Sequence, residues 1–176
     1  MRFRGGVAIA RELGIQLVSN QPQYNLLWRV IEAEVAPASV DLGLTQVVWS
    51  PLAQGVLTGK YGRHDRAGVS RFIGADGDLD RGHRYMSERV IERIAQVDAL
   101  VAEAGLTMSP YALAWVLAND NVSSAIVGAS RPEQLRANVT AVGVELDPQL
   151  VGQVDEILGD LVERDPSKVE SFPVRP

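Results

Sequence analysis

Ser124-Ala125-Ile126-Val127-Gly128-Ala129-Ser130-Arg131-Pro132-Glu133 runs from a short apolar stretch, through a glycine turn, into a helix start. Ser124 to Val127 has the length and character of a buried strand, and Gly128-Ala129 is the turn after it. Ser130 and Glu133 are spaced as N-cap and N3 of a capping box, which opens a helix to about Val142. A strand that feeds directly into a helix is the repeating unit of a parallel sheet.

The same alternation extends upstream. Val7 to Leu13 is an amphipathic helix stopped by Gly14, and Ile15 to Ser19 is an apolar run suited to a strand. After the polar turn Asn20 to Gln23, helical spacing of Leu27, Val30, Ile31 and Val35 predicts a helix over Tyr24–Ala36, with Arg29, Glu32 and Glu34 on its outer face and Pro37 as its end. Gln46 to Trp49 reads as the next strand, cut off by Ser50-Pro51. A glycine-rich segment from Ala53 to Gly82 follows, a length uncommon inside a compact domain unless it is functional.

Downstream, Ser87 caps a helix that runs to Gly105, and Ser109-Pro110 opens a helix over Tyr111–Asn119 that is apolar nearly all round and therefore buried. Asp147-Pro148 starts the last helix, whose face is Leu150, Val151, Val154, Ile157, Leu158 and Leu161. The order strand–helix–strand–helix–strand–helix predicts an α/β protein with parallel strands, residues 1–165 forming the domain and 166–176 an irregular tail. Three strands are few for such a fold.

Composition removes several function classes. The chain has 176 residues, 46% apolar and 22% charged, with a net charge of −5 and no basic stripe, which argues against nucleic acid as the main partner. No uncharged apolar run approaches the ~18–20 residues of a membrane span. The absence of cysteine excludes disulfides, thiolate metal sites and a cysteine nucleophile, and fits a reducing cytoplasm. The N-terminus carries no apolar stretch of the kind a secretory leader needs.

Several motifs fail on spacing. Gly55 to Tyr61 is one residue short of a P-loop between its glycines and places Tyr61 at the Ser/Thr position. Asp76, Asp78 and Asp80 alternate as in a calcium loop, but Arg81 and Ser87 occupy the required glycine and glutamate positions. His64 and His83 have no partner at metal spacing, so no metal site is expected. Ser109 is explained by helix capping.

Two stretches carry chemistry. At Gly128–Gln134 a helix start follows a strand, gathering unpaired N–H groups and the positive end of the helix dipole where a phosphate could sit; Arg131 adds charge, and Gln134 and Asn138 share a face at i, i+4. At Trp49–Ala53 an aromatic residue ends a strand, the position where parallel α/β folds bind ligands.

The segments Gln21-Pro22-Gln23-Tyr24-Asn25, Trp49-Ser50-Pro51-Leu52-Ala53-Gln54-Gly55-Val56-Leu57-Thr58-Gly59-Lys60-Tyr61 and Gly128-Ala129-Ser130-Arg131-Pro132-Glu133-Gln134-Leu135-Arg136-Ala137-Asn138-Val139 together resemble the aldo/keto reductase superfamily. The nearest branch is the bacterial NADP-dependent oxidoreductases related to potassium-channel beta subunits. The resemblance implies the C-terminal part of a (β/α)8 barrel, strands 6–8 with their helices and a C-terminal helix. It implies NADP(H) as cofactor: Gln21 holding the nicotinamide carboxamide, Trp49 stacked on the ring, and Ser50, Leu52, Ala53, Gly55 and Lys60 along the pyrophosphate. Arg71 would clasp the pyrophosphate from the long loop. Gly128, Ser130, Arg131, Gln134 and Asn138 would surround the 2′-phosphate.

The sequence departs from the family in two respects. Ala137 stands where the channel subunits carry Glu, and no residue here corresponds to the family's catalytic Asp, Tyr, Lys and His. The resemblance thus implies the cofactor-binding half of an NADPH-dependent reductase of aldehydes or ketones, inactive by itself. A non-catalytic NADP(H)-binding or regulatory module and a truncated remnant are the alternatives. A full barrel takes about 250 residues, so self-association or a complementary barrel half is the expected protein partner.

Overall fold

The computed structural model describes residues 2–60 and 85–169. Three parallel strands form one sheet in the order β1 (Ser19–Asn20), β2 (Thr45–Val48), β3 (Val122–Ala125). Around it lie α1 (Arg2–Glu12), α2 (Val35–Leu42), α3 (Glu88–Glu103), α4 (Met108–Leu117), α5 (Pro132–Val139) and α6 (Pro148–Leu158). This is a mixed α/β fold with a small open parallel sheet, consistent with part of a barrel of the β/α type.

The strands are shorter and differently placed than the apolar runs suggest. Ile15 to Val18 precede β1 and are solvent-exposed, because among the described residues nothing pairs with the outer edge of β1. β3 begins two residues before the expected Ser124, and Ile126 adds only a backbone bond to Val48 O at 2.8 Å. Between Gln46 and Val47 the β2–β3 register slips past Ser123, a bulge that bends the strand.

The largest correction is at residues 24–36, which are turns and bridges and not a helix. Asn25 accepts from Leu27 N through Oδ1 at 3.0 Å and donates from Nδ2 to Ser50 O at 2.9 Å. Arg29 N donates to Glu163 O, and Glu163 N to Leu27 O, so the backbone pairs with a distant segment. Leu26, Leu27, Val30 and Ile31 are still fully buried. Arg29, expected outside, is buried as well: its guanidinium pairs with both oxygens of Asp155 at 2.5 and 3.2 Å and lies 4.3 Å over the ring of Trp115. Pro37 lies in the first turn of α2, where its missing N–H would have no helical partner anyway.

The remaining helices follow their sequence signals closely. Ser87 caps α3 by accepting from Val90 N, and Asp147 caps α6 by accepting from Gln149 N. Val90, Ile94, Val97 and Val101 of α3 pack on Leu150, Val154 and Leu158 of α6 within one core. α4 starts at Met108 with Thr107 as N-cap, two residues ahead of the expected Ser109 cap, and is buried on nearly every side. α5 ends at Val139, before the expected Val142. Pro166–Lys168 forms a short 3-10 turn within the expected irregular tail, whose last residues lie outside those described.

Candidate functional site

β2 and β3 both end at a cleft of about 820 Å³, within the size range of small-molecule sites. One wall follows β2: Ser50, Leu52 and Gly55, with Lys60 at the rim. The other follows β3: Gly128 and Ser130, then Gln134 and Asn138 from successive turns of α5. Two loops distant in sequence therefore meet at the C-terminal ends of neighbouring parallel strands, where open α/β sheets hold ligands.

The wall after β2 is built from an uncommon backbone. Ser50, Ala53 and Gln54 have φ of 56°, 46° and 57°, the left-handed region that side chains disfavour. Asn25 fixes the Ser50 carbonyl, which also accepts from Ala53 N at 3.0 Å. Ala53, expected at the site, is fully buried and does not line the cleft, and Thr58 Oγ1 donates to Gly55 O at 2.7 Å. Left-handed residues each cost on the order of 1–3 kcal/mol and persist where surroundings over-determine them, often at ligand clamps.

The wall after β3 corrects the expected cap. Arg131, not Ser130, is the N-cap, with Pro132 at N1, which makes Gln134 the N3 residue in place of Glu133. The Gln134 amide oxygen accepts from Ser130 N at 2.8 Å, Ser130 Oγ at 3.1 Å and Arg131 N at 3.2 Å. Asn138 is 8% exposed yet lines the cleft, and its carboxamide makes no hydrogen bond among the described residues.

The other expected site residues are placed differently. Trp49 is half-buried, its backbone bridged to Gln23, and Gln21 is exposed; neither lines the cleft. Arg131 is exposed at the helix start beside the cleft. Arg71 lies outside the described residues, as do His64, His83 and the Asp76–Asp80 run. Ser109, at the start of α4, and Gln54 and Thr58 line the cleft without having been expected there. Ser109 comes from an element that no strand–turn signal marks, so only folding brings it in. Lys60 is the cleft's one titratable side chain among the described residues. The arrangement can bind through hydrogen bonds and one cation, and among the described residues it assembles no acid–base pair. No group of three metal-ligating side chains occurs among the described residues, and no single described helix is long and apolar enough to cross a membrane.

A parallel α/β layer with a ligand-sized cleft at its strand ends defines a class of binding proteins with many chemistries. Comparison with known proteins narrows it: residues 6–159 match the model of the aldo/keto reductase family. The chain belongs to that family. It is 32% identical over 158 residues to a probable voltage-gated potassium channel subunit beta of Arabidopsis thaliana, covering 88% of this chain and 47% of that one. It is 40% identical over 141 residues to the uncharacterized oxidoreductase YrpG of Bacillus subtilis, covering 80% of this chain and 40% of the relative. An L-glyceraldehyde 3-phosphate reductase of Escherichia coli is 32% identical over 160 residues, 88% of this chain and 45% of its own. The chain thus spans a little under half the length of these relatives.

Proposed function

We propose that this chain is the NADP(H)-binding portion of an aldo/keto reductase, its strands corresponding to strands 6, 7 and 8 of the (β/α)8 barrel. The observation that carries this reading is the cleft: it unites loops after two parallel strands, and among the described residues its polar side chains are uncharged apart from Lys60. That lining suits a phosphorylated ligand. The group also fits on other grounds: the Asn138 carboxamide lines the cleft with no hydrogen bond among the described residues, and the Ser50–Gln54 backbone is held in a strained, preset form.

When bound, NADPH would supply hydride to the carbonyl carbon of an aldehyde or ketone. This chain's part is binding and orientation. Ser50, Leu52, Ala53, Gly55 and Lys60 would hold the pyrophosphate, with Arg71 assigned to it by resemblance alone; Gly128, Ser130, Arg131, Gln134 and Asn138 would hold the adenosine 2′-phosphate, and Gln21 and Trp49 the nicotinamide. The acid that protonates the product lies outside this chain, in a complementary barrel half that also shapes the substrate pocket. The cysteine-free composition supports a reducing, cytoplasmic setting. The alternative reading is a non-catalytic NADP(H)-binding module, and Lys60 is the cleft's one titratable side chain among the described residues.

Fluorescence titration tests the assignment. Arg131→Ala should weaken NADPH at least about tenfold more than NADH, because an Arg–phosphate contact is charge-assisted. Equal losses for both cofactors would remove the 2′-phosphate site from the helix start.

A further inference from the structure

Gln46 is a polar residue at a core position. It shares one face of β2 with Val48, and both are wholly buried, whereas Thr45 and Val47 on the other face are half-buried. Each polar atom of Gln46 has a partner. Oε1 accepts from Asn20 Nδ2 of β1 at 3.1 Å, and Nε2 donates to Asn121 Oδ1, just ahead of β3, at 2.8 Å. The backbone N donates to Asn121 O at 2.8 Å, and the carbonyl accepts from Ser123 Oγ at 3.3 Å. Asn121 is anchored in turn, its Nδ2 donating to Leu44 O at 2.9 Å. These amides cross all three strands at the point where the β2–β3 register slips: Gln46 faces Val122, Val47 faces Ser124, and Ser123 is the extra residue.

The slip needs holding, because β3 specifies it weakly. The strand reads Val122-Ser123-Ser124-Ala125. Without the bulge, Ser123 would stand opposite Val47 in place of an identical side chain, and the ladder would regain the pairing that the bulge forfeits. Every later residue of β3 would then move by one place, about 3.3 Å, and change face. Ile126, now exposed, would turn to the face of Val48. β2 leads into Ser50 and Leu52 and β3 into Gly128 and Ser130, so the same slip would displace one wall of the cleft against the other. Buried amides are costly to desolvate, and an apolar side chain of equal length would fill the same space. We propose that Gln46, with Asn121 and Ser123, is a positioning residue for the cleft: its amide pins the bulge and so fixes the register between the two ligand-binding walls. The binding side of this inference rests on the nucleotide reading above; the register side does not.

Ile126 N donates to Val48 O at 2.8 Å, and a one-residue slip hands that bond to Ala125 N. Amide hydrogen exchange on the whole chain without ligand therefore reads the register. Calorimetric titration reads the walls, with NADPH reaching both and adenosine 2′-monophosphate only the one after β3. Gln46→Met keeps the side chain's length and loses both of its hydrogen bonds. It should strip exchange protection from Ile126, weaken NADPH at least about tenfold and leave adenosine 2′-monophosphate within about twofold. Ser123→Ala, at an exposed position, should give the same pattern at about threefold, and it carries the test if Gln46→Met does not fold. Protection retained at Ile126 in the folded variants would overturn the proposal, whatever the affinities. Equal losses for the two ligands would overturn it as well, making Gln46 a support of the fold as a whole. If the wild-type protein binds neither ligand, the nucleotide reading falls, and exchange at Ile126 alone upholds or overturns the register assignment.

Discussion

Gly59 sits at φ +73°, and a Cβ built there would stand 2.9 Å from Asp98 Oδ2. The residue closes the turn that forms the β2 wall of the cleft, and α3 approaches it through that carboxylate. Gly59→Ala adds left-handed strain and a forced shift of Asp98; it should cost roughly 1–2 kcal/mol in chemical denaturation. A loss below a few tenths would mean that the turn relaxes freely. Tyr111 poses the opposite problem. Its hydroxyl is fully buried without a hydrogen-bond partner, and burial, helped by the Asp155 charge, pushes its pKa up to about 12. An unfolded tyrosine ionises near pH 10. The stabilising difference is therefore complete below pH 10 and is lost as pH rises toward 12, where the unfolded chain releases the proton first. Tyr111→Phe should shift the alkaline unfolding midpoint upward and leave neutral-pH stability equal or higher, because an unpaired buried hydroxyl is itself unfavourable by ~1–3 kcal/mol. A clear loss at pH 7 would show that the hydroxyl has a partner.

At the scale of elements, stability at helix starts separates residues that look alike in sequence. Ser87 accepts from Val90 N at 3.3 Å, so Ser87→Ala should cost about 1 kcal/mol. Ser109 lies inside α4 behind Thr107 and faces the cleft, so Ser109→Ala should leave the melting temperature unchanged; equal losses would restore Ser109 as a cap. Caps and amphipathic faces are local, which is why α3 and α6 were legible from Ser87, Asp147 and the spacing of their apolar residues. Residues 24–36 were not, although their apolar spacing mimics a helix. What decides them is distant: Ser50 O, Glu163 and Asp155 claim the polar atoms of Asn25, Leu27 and Arg29. The cleft divides in the same way. Its two loops follow strands and announce themselves by glycine turns, whereas the one-residue shift of the α5 cap, from Ser130 to Arg131, depends on which side chain reaches back. Gln134, one methylene longer than Asn, reaches both amides and the hydroxyl.

The whole molecule is an open layer. Among the described residues the outer edges of β1 and β3 pair with nothing, and apolar side chains stand in solvent near both. Ile15, Leu17 and Val18 flank β1, with Leu17 44% exposed and Val18 61%; Leu135, Val139 and Val142 lie beyond β3 on and after α5. Val47, Trp49, Ala125 and Val127, which closure of a barrel would cover, are half-buried. Parallel strands ordinarily have both faces covered, and a bare edge is a template for another chain. Light scattering at tens of micromolar should therefore find self-associated protein when this chain is purified alone. A monodisperse monomer with one sharp melt would mean that the exposed edges are tolerated. The contact between Arg29 and Asp155 has a consequence in time as well as in space. A ribosome delivers the chain from its N-terminus, so the guanidinium emerges 126 residues before the carboxylate that neutralises it. Until α6 leaves the exit tunnel, Leu26 to Ile31 have apolar side chains to bury but a cation in their midst that resists burial. This part of the core closes only once α6 has been synthesised.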